Sequence, residues 1–310
     1  MVRPAAFDFN PETALTNRMQ RSAEHAPPGG LPEPTLPRQP LAAGEFAGLV
    51  QALQSEGISV CVADDTPQPP KPDAVFPNNW VSFHEDGTVV LYPMNALSRR
   101  VERRQEVVAA VVEKLGFRIT RLVDLTHHES EGRSLEGTGS LVLDHANRVA
   151  YASLSPRTDA AVVAEWSREL GYEAVVFEAF DRGGVPLYHT NVLLSVGERV
   201  AIVGSAAISA RDRGRVLERL RSGGREVIEI AHPEIESFVG NMLELASWDE
   251  ALGDYRVMVM SGAARRALSP AVYEQLSGCT DAMLAVPVPT IERLGGGSVR
   301  CMLAEVFLPA

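Results

Sequence analysis

Leu294-Gly295-Gly296-Gly297-Ser298-Val299-Arg300-Cys301-Met302 is a glycine run that delivers a lone cysteine to what reads as the end of an apolar strand. Glycine reaches backbone angles closed to other residues and lets a ligand approach the main chain closely. A thiol in that setting is a nucleophile only if an acid-base partner comes from far upstream. His189 and Glu136 are the candidates. Without such partners Cys301 is a small buried hydrophobe, the commoner fate of a free cysteine.

Composition bounds the alternatives. A chain of 310 residues with 45% hydrophobic content can bury a large core, as one big domain or two smaller ones. No shift in composition marks a boundary, so residues 1–310 read as one unit. The net charge of −11 argues against nucleic acid or an anionic membrane as partner, because phosphate binding needs clustered Lys and Arg. The one dense basic run, Arg99-Arg100-Val101-Glu102-Arg103-Arg104, is interleaved with an acid and reads as a helix start. No apolar run approaches a membrane span and no leader is recognisable, so a cytoplasmic protein is expected. The three cysteines, Cys61, Cys279 and Cys301, are odd in number and widely spaced, suggesting free thiols rather than disulfides or a zinc site.

Apolar strand-like runs alternate with amphipathic helices. Strands are expected at 58–63, 81–92, 140–143, 149–152, 174–177, 191–196, 200–203, 227–230, 242–246, 256–260 and 281–287. Helices are expected at 102–115, 160–170, 210–220, 261–268 and 270–276, where apolar residues recur at three- and four-residue steps. Turn signals at Glu85-Asp86-Gly87, His145-Ala146-Asn147 and Val196-Gly197-Glu198 join neighbouring strands into hairpins. The order hairpin, helix, strand recurs roughly every sixty residues, the rhythm of quasi-repeated α/β modules. Residues 26–40, rich in Pro and Gly, read as a surface loop.

Three further segments stand beside the cysteine. Phe76-Pro77-Asn78-Asn79-Trp80 puts two carboxamides before a hairpin, where Asn often builds a turn. Leu135-Glu136-Gly137-Thr138-Gly139-Ser140 and Tyr188-His189-Thr190-Asn191 each lie at a strand entry, where a capping carboxylate or an ordinary hydrogen-bonded histidine would be unremarkable. Their joint occurrence, in this order and spacing, resembles the guanidino-group-modifying superfamily of arginine deiminase, dimethylargininase and the amidinotransferases. Arg3-Pro4-Ala5-Ala6-Phe7 and Asn10-Pro11-Glu12-Thr13-Ala14 look like the superfamily's first strand and following segment. FNPETA with VFPNNWVSFHEDGTVVLYPM is most similar to the bacterial branch described as citrulline-utilisation hydrolases. The resemblance implies a single-domain, five-bladed α/β propeller of ββαβ modules (the pentein fold) with pseudo-fivefold symmetry.

It also implies Cys301 as nucleophile, His189 as general acid and base, and Glu136 as the carboxylate that orients histidine and substrate. Arg157, in Leu154-Ser155-Pro156-Arg157-Thr158, resembles an SxRT arginine that binds the substrate carboxylate. Arg99 resembles a second, with Arg100 nearly as suitable. No metal or organic cofactor is implied: His127-His128-Glu129 lacks the spacing of HExxH, and the glycine triplet lacks the GK[ST] of a P-loop. The partner is a small amino acid, and a homo-oligomer is compatible with the chain.

Two departures bear on the substrate. Deiminases of the superfamily hold the guanidinium cation with two aspartates, where this chain has Asn79 and Asn191. A carboxamide offers donor and acceptor without charge, which suits the neutral ureido group of citrulline. Cys301 would attack the ureido carbon, His189 would protonate the leaving nitrogen and later activate water, and either leaving-group order ends in ornithine, ammonia and carbon dioxide. Ser298 and the glycine-run amides are candidate oxyanion donors. The alternatives are a deiminase acting on arginine or dimethylarginine, an amidinotransferase, or a non-catalytic amino-acid-binding member.

Overall fold

A computed structural model describes residues 1–22, 37–250 and 253–309. Four three-stranded sheets share one construction, an antiparallel hairpin followed by a helical crossover to a parallel third strand. The first joins Val81–Phe83, Thr88–Leu91 and Arg121–Asp124, and the second Leu141–Asp144, Val149–Ser153 and Glu173–Phe177. The third joins Leu194–Val196, Val200–Val203 and Glu226–Glu229, and the fourth Leu243–Asp249, Gly253–Ser261 and Ala282–Val286. A fifth sheet pairs Val2–Arg3 with Ala63–Asp64 in parallel across the helix Arg38–Ser55. The class is α/β, with the expected ββαβ rhythm. Among the described residues no helix is long and apolar enough to cross a membrane.

The crossover helices form where the pattern expects them. Ala160–Leu170 starts at the N-cap Asp159, whose side chain accepts from the amides of Ala161 and Val162, and stops at Gly171 in the left-handed region. Its buried face, Val162, Val163, Trp166 and Leu170, packs on Tyr92, Leu141 and Ala150. The buried Trp166 indole donates to the Tyr92 hydroxyl at 2.9 Å.

Several expectations shift. Of 58–63 only Ala63 joins a ladder, because this module has no hairpin beside it; Ile58, Val60 and Val62 pack on the core without strand partners. Most of the expected loop 26–40 lies outside the described residues, but Arg38 already begins the helix Arg38–Ser55. That helix tolerates Pro40 because it sits in the first turn, where amides lack intrahelical acceptors, and it buries Ala42, Phe46, Leu49 and Leu53 on one face. The basic run is not one helix start. Arg99 and Arg100 end the short helix Leu97–Arg100, and the next helix runs from Gln105 to Leu115. Cys301 ends no strand; it lies in the 3-10 turn Val299–Met302.

Each first strand is preceded by a buried turn, and these turns pack together. Pro77–Asn79, Gly137–Ser140 and Thr190–Val192 lead into the first three sheets, and Val299–Met302 leads into Leu303. Gly137–Ser140 touches both Pro77–Asn79 and Thr190–Val192, while Pro77–Asn79 touches Val299–Met302. Gly137 makes one of these contacts feasible. Its φ is +45°, and a Cβ there would fall 2.2 Å from the Asn78 carbonyl oxygen. Gly137→Ala is expected to lower unfolding stability by more than the ~1 kcal/mol typical of a side chain forced into positive φ. Denaturant melts check this; an unchanged midpoint would show that the turn yields freely.

Candidate active site

The packed turns carry most of the residues singled out in the sequence. Asn79, His189 and Cys301 line one cavity together with Arg99, Arg157, Asp73, Thr13, Asn17, Phe76, Tyr188 and the glycines 295–297. Its free interior is about 10 Å³, room for a single water. Glu136 is fully buried just behind this lining, against His189 and Arg157.

Glu136 organises the polar interior. Its Oε2 accepts from His189 Nε2 at 2.8 Å and from Arg157 Nη1 at 3.4 Å, with Arg99 Nη1 at 3.7 Å; Oε1 accepts from the Asn95 amide at 3.1 Å. Burial opposes ionisation of this carboxyl, but Arg157, the hydrogen bond from His189 and Arg99 outweigh it and hold Glu136 well below the usual carboxylate range. For His189 burial dominates and pushes the imidazole down to about 4, against the pull of Glu136. The ring is therefore neutral near pH 7. Because an ionised carboxylate only accepts, the proton sits on Nε2, and Nδ1 carries a free lone pair with no hydrogen-bond partner among the described residues. The Nδ1 edge lies over Gly139, where a Cβ would stand 2.7 Å from Nδ1 and 2.6 Å from Asn79 Nδ2. Only glycine admits both groups.

Cys301 receives two carboxamides. Asn241 Nδ2 lies 3.4 Å and Asn191 Nδ2 3.6 Å from its Sγ, and Asn241 also donates to the Asn191 carbonyl at 2.9 Å. Asn191 thus faces the sulfur and is not among the cavity-lining residues. Asn241 escaped the sequence reading, although it stands two residues before the strand at Leu243 as Asn79 does before Val81, with Asn191 three residues before Leu194. Asn79 lines the cavity with its oxygen engaged by Arg99 Nη1 at 2.7 Å.

The two arginines are held differently. Arg99 is clamped by Glu102, Nε to Oε1 at 3.0 Å and Nη2 to Oε2 at 2.9 Å, so its fork faces a protein carboxylate. Burial lifts Glu102 to about 7 against the opposing pull of Arg99. Arg100 turns away from the cavity, to the Met94 carbonyl and Glu129. Arg157 donates to Thr16 Oγ1 at 2.9 Å and the Thr13 carbonyl at 2.7 Å, and its guanidinium lies over the Tyr188 ring.

Asp73 is the second residue the sequence did not announce. Its Oδ2 accepts from Asn10 at 2.7 Å and Thr13 at 3.1 Å, yet Oδ1 is buried without a partner among the described residues. Burial raises its pKa despite Arg99. Ser298 does not fit the expected oxyanion role, because its hydroxyl donates to Glu292 Oε1 at 2.6 Å.

A family model described as N,N-dimethylarginine dimethylhydrolase, eukaryotic, matches residues 3–308. The chain belongs to this family. It is therefore a member of the guanidino-group-modifying superfamily. No curated protein matches the chain significantly. Among solved structures the apo form of ArgZ, described as an arginine dihydrolase from the ornithine-ammonia cycle in cyanobacteria, matches with TM-score 0.73 and 18% identity. That match covers 100% of this chain and 40% of ArgZ, so the chain spans well under half the length of that relative. A variant of the ArgZ N-terminal domain, covalently bound to a reaction intermediate, matches with TM-score 0.71 and 18% identity over 100% of this chain and 98% of that one. A dimethylarginine dimethylaminohydrolase adduct with 4-chloro-2-hydroxymethylpyridine matches with TM-score 0.58 and 16% identity, covering 85% and 90% of the two chains. At these identities the likeness to solved structures is one of fold.

The neutral state of His189 has a measurable consequence. In the unfolded chain a histidine takes up a proton as pH falls through about 6.5, whereas the folded ring stays neutral to about 4, so its contribution to stability is lost on acidification across that window. Between pH 7.5 and pH 5 the stability of the wild type relative to His189→Gln is expected to fall by about 2 kcal/mol. Denaturant unfolding at both pH values reads this, and a constant difference would mean that His189 is not held neutral.

Proposed function

We propose that this family member is a cysteine-dependent hydrolase that removes the ureido group of citrulline, giving ornithine, ammonia and carbon dioxide. The observation that carries the reading is the pair Asn79 and Asn191, uncharged carboxamides flanking His189 and Cys301. A guanidinium cation gains from carboxylate partners, each charge-assisted bond contributing about 1.5–3 kcal/mol. A ureido group has a carbonyl that needs a donor and nitrogens that need acceptors, and carboxamides supply both without charge.

In this scheme the free lone pair of His189 Nδ1 accepts the Cys301 thiol proton as substrate enters. The sulfur, held by Asn191 and Asn241, attacks the ureido carbon, and His189 passes the proton to the departing δ-nitrogen. Ornithine leaves and a carbamoyl group remains on sulfur. Water deprotonated by His189 then opens this thiocarbamate, the thiol is restored, and the released carbamate breaks down to ammonia and carbon dioxide. Glu136 keeps the ring in the tautomer whose Nδ1 is free. At the amino-acid end the unpartnered Asp73 Oδ1 receives the α-ammonium and Arg157 the carboxylate, a pairing arginine makes better than lysine. Arg99, committed to Glu102, positions Asn79.

Ligand pockets usually enclose ~300–1,000 Å³, so the cavity must open to admit an amino acid. Thr13, Thr16 and Asn17, which bond to Arg157 and the Gly296 carbonyl, are the groups that must move. We further infer a five-bladed pentein propeller in a single domain, since a buried turn leading to a strand recurs at Asn79, Gly139, Asn191 and Asn241, and a fifth buried turn carries Cys301. We place the protein in the cytoplasm, in keeping with three free cysteines.

A second reading, hydrolysis of arginine itself, is favoured by the buried carboxylate of Glu136 beside His189 and by the match to an arginine dihydrolase. Product analysis with each substrate separates the two. Citrulline should yield ornithine and ammonia, with no turnover by Cys301→Ala, and arginine should be the poorer substrate. The double variant Asn79→Asp, Asn191→Asp should raise the arginine-to-citrulline ratio of kcat/KM about tenfold or more. Citrulline as the product of arginine, with citrulline itself inert, would overturn the ureido assignment.

A further inference from the structure

Outside the active site, His127, His128 and Glu165 bring their ligand atoms within 4.8 Å of one another. We propose that these three residues form a binding site for a divalent transition-metal ion of the zinc class. The 3-10 segment Thr126–Glu131 supplies both imidazoles, and the helix Ala160–Leu170 supplies the carboxylate. The adjacent pair His127-His128 lacks the HExxH spacing in sequence; the third ligand arrives through the fold from a residue 37 positions beyond His128.

The hydrogen bonds orient the donors. His127 Nδ1 lies 3.2 Å from the Asp124 carbonyl oxygen, to which it donates its proton, and this leaves the Nε2 lone pair directed outward. That lone pair stands 3.8 Å from Glu165 Oε1. Two acceptors thus face each other across a gap that a cation fills. His128 Nε2 lies 2.9 Å from Glu165 Oε2, while its buried Nδ1 has no hydrogen-bond partner and Glu131 Oε2 stands 3.8 Å away. When a metal takes Nε2, the ring proton moves to Nδ1 and faces Glu131, the carboxylate–histidine–metal arrangement that fixes a ligating imidazole.

Two imidazoles and a carboxylate select zinc, cobalt, nickel or copper over magnesium or calcium, which prefer oxygen ligands. Tetrahedral zinc, with bonds of about 2.0–2.1 Å, needs ligand atoms roughly 3.3 Å apart. The 3.8 Å between His127 Nε2 and Glu165 Oε1 is thus roughly 0.5 Å wider than bound zinc requires, a closure that the exposed side chain of His127 makes by a small shift. Water completes the coordination. The site is independent of the chemistry proposed for Cys301.

Calorimetric titration of zinc chloride into Cys301→Ala protein tests the proposal, the variant removing the thiol as a competing ligand. One equivalent of zinc should bind, and His127→Ala and Glu165→Gln should each weaken it tenfold or more. Cobalt in place of zinc should give a visible absorption band that both substitutions abolish. Circular dichroism confirms that the variants are folded. Zinc binding with unchanged affinity in folded His127→Ala and Glu165→Gln proteins, or no binding by the parent, would overturn the assignment.

Discussion

Glu136 is a carboxylate with no contact with solvent, and the polar interior is built around keeping it charged. Removing one partner of a buried ion pair costs about 3–5 kcal/mol, because the remaining charge has no water to turn to. Glu136 avoids this with His189, Arg157, Arg99 and the Asn95 amide, drawn from three separate stretches of chain. Its ionisation in turn fixes the tautomer of His189. The chemistry assigned to Nδ1 therefore depends on a carboxylate two atoms away across the ring.

The same charge accounting distinguishes the two ends of the cavity. Arg99 is spent on Glu102 and Arg157 leans on the segment around Thr13, while Asp73 retains an acceptor with nothing to accept from. In the proposed function an incoming zwitterion supplies the groups these residues lack: an ammonium for Asp73, and a carboxylate for Arg157 once Thr13 and Thr16 release it. The hydrogen-bond partners of the sulfur among the described residues are the uncharged side chains of Asn191 and Asn241. A charged guanidinium and a neutral ureido group meet the same anchor and differ at the reacting end.

Much of this was legible in the sequence because modules announce themselves locally. Hairpin turns and helical periodicity located most strands and crossover helices, and the motif segments fell on the turns that enter the sheets. What escaped depended on burial. The helix Arg38–Ser55 escaped because Pro40 reads as the end of a Pro- and Gly-rich loop, whereas in the fold Phe46 and Leu49 face the core. Asp73 looks like an ordinary loop acid, and only the fold shows it 1% exposed with a vacant oxygen. Asn241 was available as another Asn two or three residues before an apolar strand start, a pattern plain once the turns are seen packed together. Ser298 misled because a hydroxyl beside glycines suggests an open donor, whereas Glu292 six residues earlier claims it.

The central claim is that Cys301 takes up the ureido carbon of citrulline. Mass spectrometry of protein quenched rapidly after mixing with citrulline, with the peptide containing Cys301 sequenced, tests it most directly. A carbamoyl group on Cys301 that appears and decays within turnover is the predicted result. Release of ornithine with Cys301 unmodified throughout, or an adduct formed from arginine but none from citrulline, would contradict it.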